Sequence, residues 1–556
     1  MERVMAARGL AGADAAEFLE PRLTRLHEPS LIPDMDRAAE RILAALDARE
    51  PVAIYGDYDA DGITATAILF HTMRALAPTG AEPLVSTYVP HRLDEGYGLN
   101  VGAIEQLAAE GARVIVSVDC GITALEPALA ARRAGVDLII TDHHNPPTRL
   151  EDLPAAYAVV HPRRPDSAYP FGELCGAGVA FKLAWRMATI RAGGARVPPE
   201  TRALLLDLLP LAALGSIADV VPLVDENRVI VRHGLDRLRH SPLAGVRALI
   251  EASGLDGERV GSADVGFRLA PRINACGRMA HAREAVELLT TADATRSATL
   301  AGMLTMLNER RRATERAIFE QACEMAEREG MTGPDRRAIL LAHPEWHAGV
   351  VGIVCSRLVE RYGRPAILLA SGEHGWHGSG RSIDGFNLHG ALERCADLLA
   401  KFGGHDMAAG LRVEPASLPA LVERFTAVCN EGISVEGLMP GLTIDAGARL
   451  DELTPAAVRA LEALSPCGRG NPEPRVALLG LTLDAAPVPL GKAGTHLSLT
   501  VRQGARVMRL VAWGWGDRRA DLVRGRRVHA VVTPKVSTWG GRTSVEPELR
   551  DLAWAE

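Results

Sequence analysis

Residues 51–76 read PVAIYGDYDADGITATAILFHTMRAL, and they decide the fold. An apolar run, Pro51–Tyr55, ends in the turn-forming GDYDADG, after which the composition becomes helical. The same cadence returns twice. ARVIVSVD (Ala112–Asp119) precedes CGITALEPALAARRAG, and VDLIITD (Val136–Asp142) precedes HHNPP. Short apolar runs alternating with helical segments predict βαβ units and a parallel sheet. The runs are apolar on both faces, as strands covered by helices on each side must be.

Outward from this core, Thr201–Ile217 reads as a helix leading into ADVVPL. Ser297–Arg328, rich in Ala, Leu, Glu, Arg and Met with only Gly302 as a breaker, predicts one long helix between two bodies. The character resets after Gly333-Pro334. RRAILLAH, a helix near Val350–Tyr362 and RPAILLAS predict a second, smaller α/β unit. The last stretch alternates in short segments (THLSLTV, RVMRLVAW, RRVHAVVTPKV) punctuated by glycines, which predicts a small β-barrel. The expected division is a catalytic unit over 1–292, a connecting helix over 293–334, an α/β unit over 335–436 and a barrel over 437–556.

A chain of 556 residues is too long for one core, and 47% hydrophobic with 24% charged residues excludes wholesale disorder. No stretch approaches the ~18 uninterrupted apolar residues of a membrane span. MERVMAARGLAGADAAEFLEPRL has no apolar h-region and carries acids early, so it does not read as a signal peptide. The eight cysteines form no CxxC pair. They read as thiols in a reducing cytoplasm rather than a zinc ribbon or disulfide framework. Charge is divided unevenly. From Gly468 onward there are 14 Lys/Arg against eight Asp/Glu, while the rest carries 48 against 61. An acidic body with a basic tail unit is a division of labour between the two parts.

The chemistry gathers at the strand ends. GDYDADG sets Asp57, Asp59 and Asp61 at alternate positions just after a strand, and ligands of open parallel sheets bind at the carboxyl ends of strands. Three carboxylates so close repel unless a cation neutralises them. An Asp-rich turn capping the next helix is the plainer alternative. Asp119 and Asp142-His143-His144 stand at the same edge of two further strands, and three strand ends in a row favour the metal. Mixed Asp and His ligands suit Mn²⁺ or Mg²⁺. Several carboxylates shared among few histidines point to two bridged ions, the arrangement for in-line attack on phosphorus. The residues themselves therefore predict metal-dependent phosphoester or phosphoanhydride hydrolysis.

DYDADG, VDCG, TDHH and GSIADVVPL, in that order, resemble the four motifs of the DHH phosphoesterase superfamily. RINACGRM (Arg272–Met279) and FGGHDMAAG (Phe402–Gly410) narrow the resemblance to the RecJ single-strand-specific exonucleases. It covers nearly the whole chain, although members of that family often extend further ahead of the stretch opening MERVMAARGL. By position, the resemblance implies Asp57, Asp59, Asp119, His143 and Asp219 as metal ligands, with Asp119 bridging two ions, and His144 on the scissile phosphate. Without it, Asp219 would read as a helix cap. Asp61 either stands behind the ligands or caps a helix beginning at Ile63 or Thr64.

In the second unit, GWHGSGRSIDGFN (Gly375–Asn387) offers backbone amides, Ser379 and Arg381 as a phosphate cradle, or else is a Gly-rich hairpin without a ligand. His405 in GGHDMAAG reads either as a donor to a backbone phosphate or as a structural hydrogen bond, and Arg278 in NACGRM as a substrate-binding residue lining a path between the two units. Arg310–Arg312 either line a path between the units or form a solvated helix face. The tail unit resembles the oligonucleotide-binding (OB) barrel of the family, with Trp513, Trp515 and Trp539 as stacking candidates.

The implied function is a metal-dependent 5′→3′ exonuclease releasing 5′-mononucleotides from single-stranded DNA, in DNA repair and recombination. Single-strand-binding protein and a RecQ-like helicase are the partners it implies, with a monomeric chain. A DHH phosphodiesterase acting on short oligonucleotides or cyclic dinucleotides would lack the basic barrel. A non-catalytic replication scaffold would have lost the ligands, which are all present here.

Overall fold

A computed structural model of the chain describes all residues except 81–82, 93–94, 195, 373–374, 439–440, 540–541 and 556, and not the side chains of 538, 539 and 542. Trp539, one of the stacking candidates, thus has its side chain outside the described part.

The first sheet has five parallel strands, β1 (Val52–Gly56), β2 (Val85–Tyr88), β3 (Val114–Val118), β4 (Asp137–Thr141) and β5 (Ala158–Val160). Their order is β2-β1-β3-β4-β5. β1 and β3 are buried at every position, which explains their unbroken apolar sequence. One face packs on Ile63, Leu69 and Met73 of the helix Ala60–Leu76 and its neighbours, the other on Ile104, Leu107 and Ala131.

Helix Pro199–Ala218 is the one described helix long and apolar enough to cross a membrane. It packs instead in this core, against helices Ala60–Leu76, Gly176–Arg191 and Asp225–Leu238. The predicted connecting helix runs unbroken over Ala294–Arg328, about 50 Å at 1.5 Å per residue.

The second sheet is mixed: β6 (Ile339–His343) and β7 (Ala366–Gly372) are parallel, and β8 (Gly375–Arg381), β9 (Lys401–His405) and β10 (Ala408–Val413) complete the order β6-β7-β8-β10-β9. The tail unit is a closed five-stranded barrel. Val476–Leu483, Arg527–Thr533, Glu548–Trp554, Arg506–Ala512 and His496–Gln503 follow one another, and the last pairs back to the first. Leu478, Leu481, Leu497, Leu499 and Leu510 fill its interior.

The barrel is tied to the catalytic core through Arg228, which is 2% exposed on helix Asp225–Leu238. Its guanidinium donates to the carbonyls of Phe18, Ala463, Leu464, Ser465 and Pro466 at 2.7–3.5 Å. The N-terminal helix Glu2–Ala7 joins the same junction, with Val4 and Met5 packed on Leu464 and Arg8 paired with Asp445. All eight cysteines are free thiols and seven are buried.

Candidate metal centre

Asp57 leaves β1 directly, and Asp59 accepts hydrogen bonds from the amides of Asp61 and Gly62 as cap of helix Ala60–Leu76. Asp119 leaves β3 with φ 63, a left-handed conformation costly for a residue with a Cβ. His143 and His144 follow β4, and Asp219 ends helix Pro199–Ala218. The fold brings all six together. His143 Nε2 lies 3.1 Å from Asp119 Oδ1, 3.6 Å from Asp219 Oδ2 and 3.8 Å from Asp61 Oδ2. Three groups converge closely enough to share an ion: Asp57/Asp59/Asp119, Asp61/His143/Asp219 and Asp119/His143/His144. Asp119 belongs to two of them, between the aspartates of the β1 loop and the histidines of β4.

Electrostatically the cluster is poised for cations. Burial, then the Asp59 charge, holds Asp57 well above the usual carboxylate range. Burial and the charges of Asp61, Asp59, Asp57 and Asp219 do the same to Asp119. Asp219 is pushed up to about 8 by burial and then by Asp61 and Asp59. Burial pushes His143 down to about 3, so its imidazole is a neutral donor of an electron pair. Asp57 Oδ1, Asp119 Oδ1 and His143 Nε2 are buried with no hydrogen-bond partner among the described residues. Buried polar atoms are almost always satisfied, and hard divalent ions on Asp and His would satisfy these three.

The surrounding residues hold this geometry. Asp142, read from the sequence with His143 and His144 as a metal-ligand type at a strand end, belongs to none of the three groups. It accepts from the amides of Ile122, His143 and His144 and from His144 Nδ1, at 2.7–3.1 Å. Burial, the largest single influence, would raise its pKa, but the His144 hydrogen bond, the charges of His144 and His143 and the Ile122 amide together outweigh it and keep Asp142 ionised. At His144 burial is again the largest single influence and lowers the pKa, but the same bond together with the charges of Asp142, Asp219 and Asp57 outweighs it and lifts the imidazole to about 9, so His144 presents a cation beside the carboxylates. Tyr97 reaches His144 from the loop after β2, with its hydroxyl 3.1 Å from Nδ1.

Of the two readings of Asp61, the helix cap is overturned. The helix starts at Ala60 and is capped by Asp59, so Asp61 caps nothing in its own helix. Its two oxygens accept from Gly176 N at 2.6 Å and Ala177 N at 2.8 Å, holding the start of helix Gly176–Arg191.

The second unit faces this centre. His405 Nδ1 lies 3.1 Å from Asn145 Nδ2, just beyond the histidine pair. Arg278 is half-buried and donates to Gly349 O across the cleft. Arg381 and Ser379, two apart on β8, both approach Gly352, and the only hydrogen bond of the Arg381 guanidinium among the described residues is to Gly380 O. Burial and neighbouring arginines, Arg92 and Arg381, push Arg278 down to about 9; burial and then Arg92 lower Arg381 as well. Neither has a carboxylate partner among the described residues, so these cations form an anion site. Arg92, which the sequence did not signal, stacks over Tyr58 at 4.7 Å.

Of the two readings of Gly375–Asn387, the Gly-rich hairpin holds for Gly375–Arg381, which pairs antiparallel with β7, and the amide cradle does not. This segment is an interior strand between β7 and β10, so its amides are committed to the sheet, and only the side chains of Ser379 and Arg381 remain for a ligand. Of the arginine run, Arg311 is tied to Glu315 and Asn308 rather than free. In the barrel, Trp513 is 51% exposed, but Trp515 packs partly on the barrel core. Trp554, with the Arg526 guanidinium 3.4 Å from its ring centre, was missed because it lies at the extreme end of the chain.

A parallel sheet with Asp and His at successive strand ends, opposed by a smaller α/β unit, defines a phosphoesterase of the DHH class. Residues 51–213 match the DHH family N-terminal domain, 335–431 the DHHA1 domain and 444–551 the RecJ OB domain. The single-stranded-DNA-specific exonuclease RecJ of Bacillus subtilis is 38% identical over 552 residues, covering 99% of this chain and 67% of that protein. That of Escherichia coli is 35% identical over 485 residues, covering 85% and 82%. The crystal structure of RecJ with Mn²⁺ from Thermus thermophilus superposes with a TM-score of 0.82 at 33% identity, over all of this chain and 76% of that one. Its Mg²⁺ complex matches with a TM-score of 0.76 at 32% identity, over 100% and 74%. The chain belongs to the RecJ family.

Proposed function

We propose that this protein is a metal-dependent exonuclease that degrades single-stranded DNA 5′→3′ to 5′-mononucleotides, in DNA repair and recombination. The observation that carries the reading is the trio of orphaned buried atoms, Asp57 Oδ1, Asp119 Oδ1 and His143 Nε2, within one carboxylate cluster. Asp57, Asp59, Asp119, His143 and Asp219 would hold two Mn²⁺ or Mg²⁺ ions, with Asp119 between them. When bound, such ions supply Lewis-acid activation of water and charge stabilisation at the leaving oxygen.

The chain's own residues do the rest. His144, kept protonated by Asp142, steadies the scissile phosphate. Arg278, Arg381, Ser379 and His405 bind the strand from the opposite wall. Arg381 and Ser379 read the terminal 5′-phosphate, whose extra charge suits a forked guanidinium better than a diester does. The exposed Trp513 and the basic surplus of the barrel retain the rest of the strand. The working units are 1–292, 293–334, 335–436 and 437–556. We place the protein in the cytoplasm as a monomer, with single-strand-binding protein and a RecQ-like helicase as partners.

One assay tests the reading: 5′-labelled and 3′-labelled single-stranded and duplex DNA, incubated with Mn²⁺, Mg²⁺ or EDTA. Mononucleotides released first from the 5′ end of single strands, only with metal, are expected. Metal-independent cleavage, or first release from the 3′ end, would refute it.

A further inference from the structure

The helix that carries Asn274 and Arg278 is irregular at its start. Ser262–Asp264 open it, Val265–Leu269 form a π turn, and Ala270–Met279 continue as α-helix. π turns are rare and persist where they serve a site. The side chain this one turns outward is Phe267. Val265 and Leu269 on either side are fully buried, whereas Phe267 is 84% exposed, more than any other large apolar side chain among the described residues.

The residue before it packs on the helix that ends in Asp219. Gly266 packs on Ile217, where a Cβ would lie 3.7 Å from Ile217 Cγ2, and Ile217 stands two residues ahead of Asp219. Directly after Asp219, Val220 has φ 57 and is 58% exposed. A β-branched residue in the left-handed region is strained. That strain holds a second apolar side chain in solvent beside the same carboxylate. The loop Cys467–Asn471 borders the patch: Ser262 Oγ donates to Cys467 O at 2.6 Å and Leu223 N to Arg469 O at 2.7 Å. Arg469 is exposed and its charge acts on Asp219. A few residues further on, the chain enters the first barrel strand at Val476. An aromatic ring next to a residue packed on Ile217, an aliphatic side chain directly after Asp219 and a cation whose charge acts on Asp219 thus lie on the segments that lead from the metal centre to the barrel.

We propose that Phe267 is a base-stacking residue that seats one nucleobase of the strand between the barrel and the metal centre, with Val220 beside the base and Arg469 on an adjoining phosphate. The proposal rests on the exonuclease reading above. A base offers its face to a phenyl ring whatever its identity, so such a contact holds any sequence. A paired and stacked base cannot offer that face, so the same contact discriminates against duplex DNA. Phe267 is a substrate-positioning residue and touches no metal ligand.

The test uses the full-length protein and 5′-phosphorylated oligonucleotides carrying 2-aminopurine at one position at a time, first in EDTA, where nothing is cleaved. Wild-type protein is expected to quench the probe at one or two adjacent positions near the 5′ end. Phe267→Ala should abolish that quench, and Phe267→Trp should restore it. With Mn²⁺, Phe267→Ala should lower single-strand degradation by about 5- to 150-fold, the range for one aromatic–base stack. An abasic site at the quenched position should slow the wild type by a similar factor and leave Phe267→Ala unchanged. Equal quenching by wild type and Phe267→Ala, or equal sensitivity of both to the abasic site, would overturn the stacking role. If wild-type protein degrades no single strand, the exonuclease reading itself fails; if it does and Phe267→Ala matches it, only this inference fails.

Discussion

A Cβ placed on Gly176 would lie 2.6 Å from the Cβ of Asp119, so the start of helix Gly176–Arg191 and the central carboxylate of the metal centre share one space. The Gly176 amide simultaneously donates to Asp61. A single glycine therefore fixes two aspartates from different strands relative to each other.

Gly176→Ala is accordingly expected to displace Asp119, because the overlap is with a short, buried side chain on a strained backbone and has no flexible end to yield. Overpacking of this kind costs about 1–3 kcal/mol of stability. The larger effect should be on metal: Mn²⁺ affinity by calorimetry is expected to fall at least ~10-fold, since ligand distances matter within tenths of an ångström. Unchanged Mn²⁺ affinity would show that Asp119 does not hold metal.

Asp119→Ala should abolish hydrolysis at saturating Mn²⁺, because both ligand groups lose their shared carboxylate. In EDTA its melting temperature should equal or exceed that of the wild type, since one of several mutually repelling buried carboxylates is gone. Wild-type turnover by this variant would remove the two-ion assignment.

The metal-free protein should become more stable as pH falls from about 8.5 to 6. Asp219, at about 8, and Asp61, at about 6, keep protons in the fold that the unfolded chain has already released above its pKa of ~3.9. His144 acts in the same sense, because its stabilising proton is fully present below the unfolded value of ~6.5 and is lost as pH rises through about 9. Metal binding requires the carboxylates deprotonated, so the gain in melting temperature on adding Mn²⁺ should be larger at pH 8.5 than at pH 6. Scanning calorimetry with and without EDTA checks both trends, and a metal-free melting temperature that falls on acidification across this range contradicts the first.

Arg381→Ala should slow cleavage of 5′-phosphorylated single strands by the equivalent of ~1.5–3 kcal/mol, the worth of a charged hydrogen bond, while barely changing that of 5′-hydroxyl strands. Single-turnover cleavage of matched substrates makes the comparison. Equal losses on both would assign Arg381 to general strand binding and send the search for polarity elsewhere.

Arg228→Ala should loosen the barrel from the core. It leaves five carbonyls short of a donor and removes the cation from the face of Phe18, a loss of roughly 3 kcal/mol or more. Arg228→Lys should recover little, because an ammonium cannot reach the spread of acceptors that a guanidinium fork does. Limited proteolysis near residues 463–471 and urea unfolding report the change; wild-type resistance in Arg228→Ala would show that the junction is held by other contacts.

What this chain reveals without coordinates is whatever its chemistry writes locally. β1, β3 and β4 were legible because a strand buried on both faces must be apolar throughout. Asp57, Asp119 and His143 were legible because each directly follows such a strand. The connecting helix and the barrel follow in the same way, from composition sustained over many residues. β8 was left open between a cradle and a hairpin because GWHGSGR carries neither an apolar run nor alternation; glycines let its backbone pack closely on its neighbours, with Gly378 against Leu368 and Leu369, and that need belongs to the partners. The parts that only tertiary structure decided are contacts between residues far apart in the chain. Asp61 serves a helix 115 positions away, Arg228 grips carbonyls more than 230 positions away, and Phe267 matters because its neighbour Gly266 packs on Ile217, two residues ahead of Asp219. A local window carries no trace of such pairings, because the energy that selects them comes from burying and satisfying groups that meet only once the chain has folded.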